Sequence, residues 1–232
     1  MKKITILIPI FNEVNTLRLI LQKIDEVSFC GLEKEIILID DYSVDGTRDI
    51  LAELNQTCPD KYKIFYHDKN MGKGAALRTG FGHVTGDIVI IQDADLEYNP
   101  SDYEPLIEML VNGEADVVYG SRFLNKESEF MLLSKLANKF LTFVTNVLYG
   151  VKLTDMETCY KAFKTDFIKG IQIKANRFDF EPEITAKVLK KGAKLIELPV
   201  LYNAREYDEG KKITWKDGVH AVWTLVKFRF SD

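Results

Sequence analysis

The stretch Ile88-Val89-Ile90-Ile91-Gln92-Asp93-Ala94-Asp95-Leu96-Glu97-Tyr98 decides how this chain reads. An apolar, β-branched run forms a strand of a mainly parallel sheet, and it stops at two carboxylates one residue apart. A strand that ends in Asp-x-Asp aims hard oxygen ligands at one point just beyond the sheet. That suits Mg²⁺ or Mn²⁺ carrying a diphosphate. An isolated pair of acids more often solvates a strand end, but three further segments weigh against that reading here.

Outward from this stretch, the first half alternates short β-branched runs with amphipathic helical periods. Strands are expected over residues 4–10, 35–40, 63–66, 87–92 and 116–119. Between them Val14, Leu17, Leu21 and Ile24 keep a helical period, as do Ile50 with Leu54 and Leu106 with Leu110. This is the pattern of βαβ units and an α/β fold. The polar motifs fall just after strands, where open α/β sheets bind ligands. Past Arg122 the pattern changes to an amphipathic stretch (131–149), an irregular polar segment (154–161), a helix (183–191), a strand (194–200) and a final helical run from residue 214. This second half has too little core of its own to stand apart, so one domain over 1–232 is expected.

The composition agrees with an ordinary globular protein, 46% hydrophobic and 28% charged. A net charge of −4 excludes a globally basic chain that coats nucleic acid, so partners must be argued from sites. Cys30, Cys58 and Cys159 are odd in number and lack metal-ligand spacing, which fits buried free thiols in a reducing, cytoplasmic compartment. The N-terminal apolar run is too short for a signal core. The stretch 131–151 is interrupted by Ser134, Lys135, Asn138, Lys139 and Asn146, so any membrane contact is peripheral.

Three loops carry the other motifs. Pro9-Ile10-Phe11-Asn12-Glu13 closes the first strand, with Pro9 expected to end its ladder while Asn12 and Glu13 open a helix. It reads either as a wall for a nucleotide base, with Glu13 accepting from a ribose hydroxyl, or as an ordinary strand-to-helix turn. Asp40-Asp41-Tyr42-Ser43-Val44-Asp45-Gly46-Thr47 holds three carboxylates around an Asp-Gly turn. Asp45 or Thr47 satisfies the turn, which leaves Asp40 and Asp41 for a base or ribose. Asn70-Met71-Gly72-Lys73-Gly74 lets backbone approach phosphate or sugar closely, with Lys73 as a point charge. It is not a P-loop, and no Gly-x-Gly-x-x-Gly follows the first strand, which counts against a dinucleotide oxidoreductase.

Together with Gly120-Ser121-Arg122 and Thr154-Asp155-Met156-Glu157-Thr158-Cys159-Tyr160-Lys161, these segments give the chain a resemblance. In their order and spacing it resembles the inverting family 2 glycosyltransferases of the GT-A fold, and more narrowly the polyprenyl-phosphate (dolichyl or undecaprenyl) hexosyltransferases. The likeness runs over about 3–230. It implies transfer of a hexose from a nucleotide diphosphate sugar, of the GDP-mannose or UDP-glucose type, to a polyprenyl phosphate on the cytoplasmic membrane face. By the same resemblance Pro9, Phe11, Glu13, Asp40, Asp41, Lys73, Asp93 and Ala94 line the donor. Asp93, Asp95 and Glu97 hold Mg²⁺ or Mn²⁺, with some relatives carrying Gln at the last position. Asp95, Arg122 and Asp155 are the expected catalytic residues. About 1–122 is then the nucleotide-sugar half and about 123–232 the acceptor and membrane half.

An anionic phosphate acceptor needs no strong base, whereas a sugar hydroxyl does; Asp155 is the carboxylate nominated, with Glu181 and Glu183 as alternatives. Arg122, Arg205, Lys211 and Lys212 are the expected acceptor-phosphate cluster, the last three in a loop over 203–212. Residues 131–149 with Trp215, Trp223, Phe228 and Phe230 suit peripheral attachment to a bilayer. The competing readings are a family 2 transferase that extends a saccharide, a nucleotidyltransferase that makes the nucleotide sugar, and a non-catalytic nucleotide-sugar-binding module. His67, His83 and His220 carry no signal.

Overall fold

The computed structural model describes residues 1–29, 31–204 and 215–231. Strands β1 (Lys3–Ile10), β2 (Glu33–Asp40), β3 (Tyr62–Tyr66) and β4 (Ile88–Ile91) lie parallel, joined through α1 (Leu17–Glu26), α2 (Thr47–Thr57) and α3 (Lys73–Phe81). After α4 (Tyr103–Val111) come β5 (Val117–Ser121), α5 (Leu132–Tyr149), β6 (Lys161–Lys164), α6 (Thr165–Lys169), α7 (Phe180–Lys190), β7 (Leu195–Pro199) and α8 (Trp215–Phe230). Among the described residues the sheet has seven strands in the order β3-β2-β1-β4-β6-β5-β7. It is parallel throughout except for β6, which runs antiparallel to β4 and β5.

The parallel strands are apolar on both faces because both are covered. Ile4, Ile6, Ile8 and Ile10 enter one core layer, while Leu7 joins Ile37, Ile39, Val89 and Ile91 in the other. Each such side chain contributes roughly 1.5–3 kcal/mol by leaving water. The result is a rigid floor from which every inter-element loop at the carboxyl edge projects.

The structure corrects three local expectations. Strand β6 was not foreseen: its four residues, Lys-Ala-Phe-Lys, show no period, yet β4 and β5 pair with it on both sides. Its place between them builds the second half of the chain into the sheet of the first. Strand β1 also continues past Pro9 to Ile10. Leu7 O accepts from Gln92 N on the β4 side, and the β1–β4 register ends at that residue. Pro9 faces the same side two residues on, where no ladder bond is required of its missing N–H. Finally, Asn12 and Glu13 form a turn and the helix begins only at Leu17, while α7 starts at Phe180, three residues before Glu183.

Candidate active site at the carboxyl edge of the sheet

Among the described residues, three other than glycine hold positive φ: Asn12 (57°), Tyr42 (68°) and Leu96 (65°). They stand just past the ends of β1, β2 and β4, so uncommon backbone collects at the ligand edge. The loops after β1 and β2 are stitched into one unit. Asn12 N donates to Ser43 Oγ at 2.9 Å, Val44 N to Asn12 Oδ1 at 2.9 Å, and Glu13 N to Thr47 Oγ1 at 2.9 Å. Asp45 accepts from Thr47 N and Val14 N, the turn role expected of it. Pro9, Phe11 and Glu13 are half-buried along this unit, and Glu13 accepts from Thr16 Oγ1 at 2.7 Å.

Asp40 and Asp41 are buried, and both carboxylates have partners within the chain. Arg48 Nε donates to Asp40 Oδ2 at 2.6 Å, with Ser43 N as a further donor. Asp41 accepts from Met71 N at 2.8 Å and Gly72 N at 2.7 Å, and His67 Nδ1 lies 2.7 Å from it. Asp41 therefore fixes the Asn70–Gly74 loop. His67, whose Nε2 lies 3.0 Å from Thr79 Oγ1, joins that loop to α3, a role that an isolated histidine in sequence does not advertise.

The glycines of this loop serve the chain's own packing. A Cβ on Gly72 would lie 2.3 Å from Asn176 O, and one on Gly74 2.7 Å from Ala175 O. The close approach expected of a ligand is thus made by backbone over 175–177. Between these glycines Lys73 points inward, 2.8 Å from Asp93 Oδ1 and 3.2 Å from Glu181 Oε1. Burial opposes its charge, but the fields of Asp93 and Glu181 outweigh burial and hold its pKa well above the usual lysine value.

Asp95 accepts from Glu97 N at 3.2 Å, and Glu97 Oε2 accepts from Tyr202 Oη at 3.1 Å. Ala94 between the two aspartates is buried in the core. Among the described residues no three acidic, His or Cys side chains converge on one point. Asp93, Asp95 and Glu97 offer only oxygen donors, the chemistry that a hard cation takes.

Arg122 and Asp155, nominated separately, meet each other. Arg122 Nε and Nη2 grip Asp155 Oδ2 and Oδ1 at 2.7 and 2.8 Å, and Arg122 N adds a third bond at 3.0 Å. Their side chains are 7% and 0% exposed. The guanidinium lies 5.1 Å from the centre of the Tyr202 ring. Glu197 accepts from Thr154 N and Asp155 N, which fixes the loop from behind. Lys161 is buried and donates to Met156 O and Thr158 O; burial lowers its pKa. Glu157, two residues from Asp155 and not nominated from sequence, has its carboxyl pushed up to about 8 by burial and by the charge of Glu181. Glu183 accepts from Lys174 N and Ala175 N and pairs with Lys187, so its carboxylate is committed to the 174–175 loop.

Arg205, Lys211 and Lys212 lie outside the described residues, as do Cys30 and the side chain of Trp215. Cys58 and Cys159 are free thiols, half-buried rather than fully buried. Helix α5 presents Leu132, Leu133, Leu136, Phe140, Phe143 and Val147 to the outside, a stripe at helical spacing. Trp223 and Phe230 of α8 are also exposed, whereas Phe228 is buried beneath Lys187, against the expectation that it faces a bilayer. Among the described residues no helix is long and apolar enough to cross a membrane.

The family described as Glycosyl transferase family 2 matches residues 5–171, most of the chain; α7, β7 and α8 lie beyond the matched residues. The chain belongs to the family 2 glycosyltransferases. This glycosyltransferase is 29% identical over 214 residues to the dolichol-phosphate mannosyltransferase of Pyrococcus furiosus, covering 90% of this chain and 59% of that protein. It is 30% identical over 211 residues to the undecaprenyl-phosphate 4-deoxy-4-formamido-L-arabinose transferase of Klebsiella pneumoniae, covering 90% and 62%. The chain thus spans about three fifths of the length of these curated relatives. Glucosyl-3-phosphoglycerate synthase of Mycobacterium tuberculosis, solved with uridine diphosphate, superposes with a TM-score of 0.77 over 100% of this chain and 81% of that one. At 17% identity this is a likeness of fold alone, the GT-A architecture. A second structure of the synthase, with a TM-score of 0.76, contains Mn²⁺, uridine diphosphate and glucosyl-3-phosphoglycerate.

Proposed function

We propose that this family 2 glycosyltransferase moves a hexose, with inversion, from a nucleotide diphosphate sugar of the GDP-mannose or UDP-glucose type to a polyprenyl phosphate. The observation that carries this reading is the Arg122–Asp155 fork. Asp155 is buried with both oxygens gripped by a guanidinium, so it is poorly placed to take a proton from an attacking hydroxyl. Glu183 is committed to backbone N–H groups and Lys187. A lipid phosphate is already anionic and needs neither. The names of the two curated relatives, both transferases to polyprenyl phosphates, support the same acceptor class.

In this reading an acceptor phosphate oxygen attacks the anomeric carbon as the bond from that carbon to the diphosphate oxygen breaks. Asp93 and Asp95, with Glu97, hold Mg²⁺ or Mn²⁺, whose Lewis acidity offsets charge on the departing diphosphate. Lys73, held cationic beside Asp93, adds a fixed positive charge at the same place. Pro9, Phe11, Glu13, Asp40 and Asp41 build the nucleoside side: the first three through the fused loops, and the two aspartates by fixing those loops rather than by reaching the base. Arg122, Arg205, Lys211 and Lys212 are assigned to the acceptor phosphate, and the division near residue 122 follows from these roles. The exposed stripe of α5, in a helix with Lys135 and Lys139 and no acidic residue, supports peripheral attachment to the cytoplasmic face of an anionic membrane. The test incubates the protein with Mn²⁺ or Mg²⁺, a panel of nucleotide sugars and a short polyprenyl phosphate, and identifies products by mass spectrometry. A hexosyl lipid phosphate is expected; donor consumption without any such product in every arm refutes the assignment.

A further inference from the structure

Among the described residues, the buried and half-buried carboxylates named at this edge are bonded, with two exceptions. Asp40, Asp41, Asp155, Glu183 and Glu197 all accept hydrogen bonds from named donors. Glu157 Oε1 and Glu181 Oε1 do not, although both atoms are shielded from solvent. Glu181 is 4% exposed. Its 3.2 Å ion pair with Lys73 supplies opposite charge without the alignment of a hydrogen bond. The charge of Glu181 helps to raise the Glu157 carboxyl, so the two acids are neighbours. An acceptor buried without a donor is costly, and its presence in a folded protein asks for a partner that arrives from outside.

The location narrows the class of that partner. Lys73 links Glu181 to Asp93 of the Asp-x-Asp, so the two acids lie beside the place assigned to the diphosphate. The charge of Glu181 repels phosphate, which excludes the diphosphate itself as the ligand. A hexose is bonded directly to that diphosphate and carries several hydroxyl donors. We propose that Glu157 and Glu181 are the hydroxyl-accepting floor of the donor's sugar subsite. This rests on the nucleotide-sugar reading given above. In it α7 contributes a sugar-binding residue from its first turn, while Glu183, two residues on, is held by the backbone N–H groups of 174–175 and by Lys187. The sugar, rather than the nucleotide, is what these two residues read.

The experiment compares affinities for a nucleotide sugar and for the matching nucleotide diphosphate, by calorimetry with Mn²⁺ present, in wild type, Glu157→Met and Glu181→Met. Methionine keeps the length of the side chain and removes both acceptors. Each variant is expected to lose about tenfold or more in affinity for the nucleotide sugar relative to its affinity for the nucleotide diphosphate. A structural role would move both affinities together. Unchanged ratios in both variants overturn the proposal and mean that water satisfies the two oxygens. Should Glu181→Met fail to fold, wild type is titrated with nucleotide sugars each lacking one hydroxyl. At least one deoxy position must then lose a similar factor, and equal binding of all of them overturns the proposal. Wild type that binds no nucleotide sugar at all overturns the donor reading itself, and this assignment with it.

Discussion

Replacing Asp155 by Asn separates a brace from a base. The pair it breaks is buried, with Asp155 wholly enclosed, and it is joined by two side-chain bonds and one to Arg122 N. The isosteric amide keeps the volume and removes the charge, leaving the Arg122 guanidinium uncompensated. Removing one member of a buried pair costs roughly 3–5 kcal/mol. In a chain of this size each kcal/mol lowers the melting temperature by about 2–4 °C, so a fall on the order of 10 °C is expected in a calorimetric scan at neutral pH. The double variant Arg122→Met with Asp155→Leu should recover most of that loss, because an apolar pair of similar size removes both charges together. Turnover should fall in both variants, with no change in the shape of the pH–rate profile. If Asp155 were the base, Asp155→Asn would in addition lose about 10²–10⁴ in rate together with the acidic limb of that profile. That result would refute the reasoning behind the phosphate acceptor.

Further outcomes follow from the same geometry. The folded-state pKa of Glu157, near 8 against an ordinary 4.5, means that the native protein holds a proton the unfolded chain has released between those values. Stability should therefore fall as pH rises from about 4.5 to about 8, and Glu157→Gln should flatten that slope in urea titrations run across the window. Asp41→Ala strips Met71 N and Gly72 N of their acceptor, so a loss of about 3 kcal/mol in chemical denaturation and a raised donor KM are expected, against neither if the loop is held otherwise. Asp95→Asn should abolish most turnover at unchanged melting temperature, and calorimetry should show donor binding that EDTA weakens; equal affinity with EDTA and with Mn²⁺ counts against the metal assignment. Phe140 and Phe143, 58% and 63% exposed, should govern association with anionic vesicles, so that changing both to Ser lowers sedimented protein while leaving the soluble protein folded.

Most of the scaffold is legible in sequence because parallel strands buried on both faces announce themselves as continuous β-branched runs. Strand β6 escaped that signal, since its place depends on two neighbours far away in the chain rather than on its own four residues. The motif loops were visible for a similar reason: acids and glycines exceeded what turn chemistry requires. Their partners were not. Arg122 and Asp155 are 33 positions apart, and nothing in either segment says that each answers the other. Asp41 looked like a ligand group and proved to hold the loop of Gly72 through backbone N–H groups that carry no sequence signature. Glu157 stood inside a quoted motif yet was passed over, because burial without a donor becomes apparent only in three dimensions. Phe228 falls at helical spacing with the buried Ala221, Thr224 and Leu225, on the face of α8 away from Trp223 and Phe230, so the period itself places it in the core.

The central claim is that the acceptor arrives already charged. Its most direct test offers polyprenyl phosphate and the corresponding neutral polyprenol, at equal concentration in one vessel with Mn²⁺ and the nucleotide sugar that binds best, and follows both products by mass spectrometry. The account predicts hexosyl polyprenyl phosphate with no hexosyl polyprenol. Comparable transfer to the neutral alcohol, or transfer only to an added oligosaccharide, would contradict it.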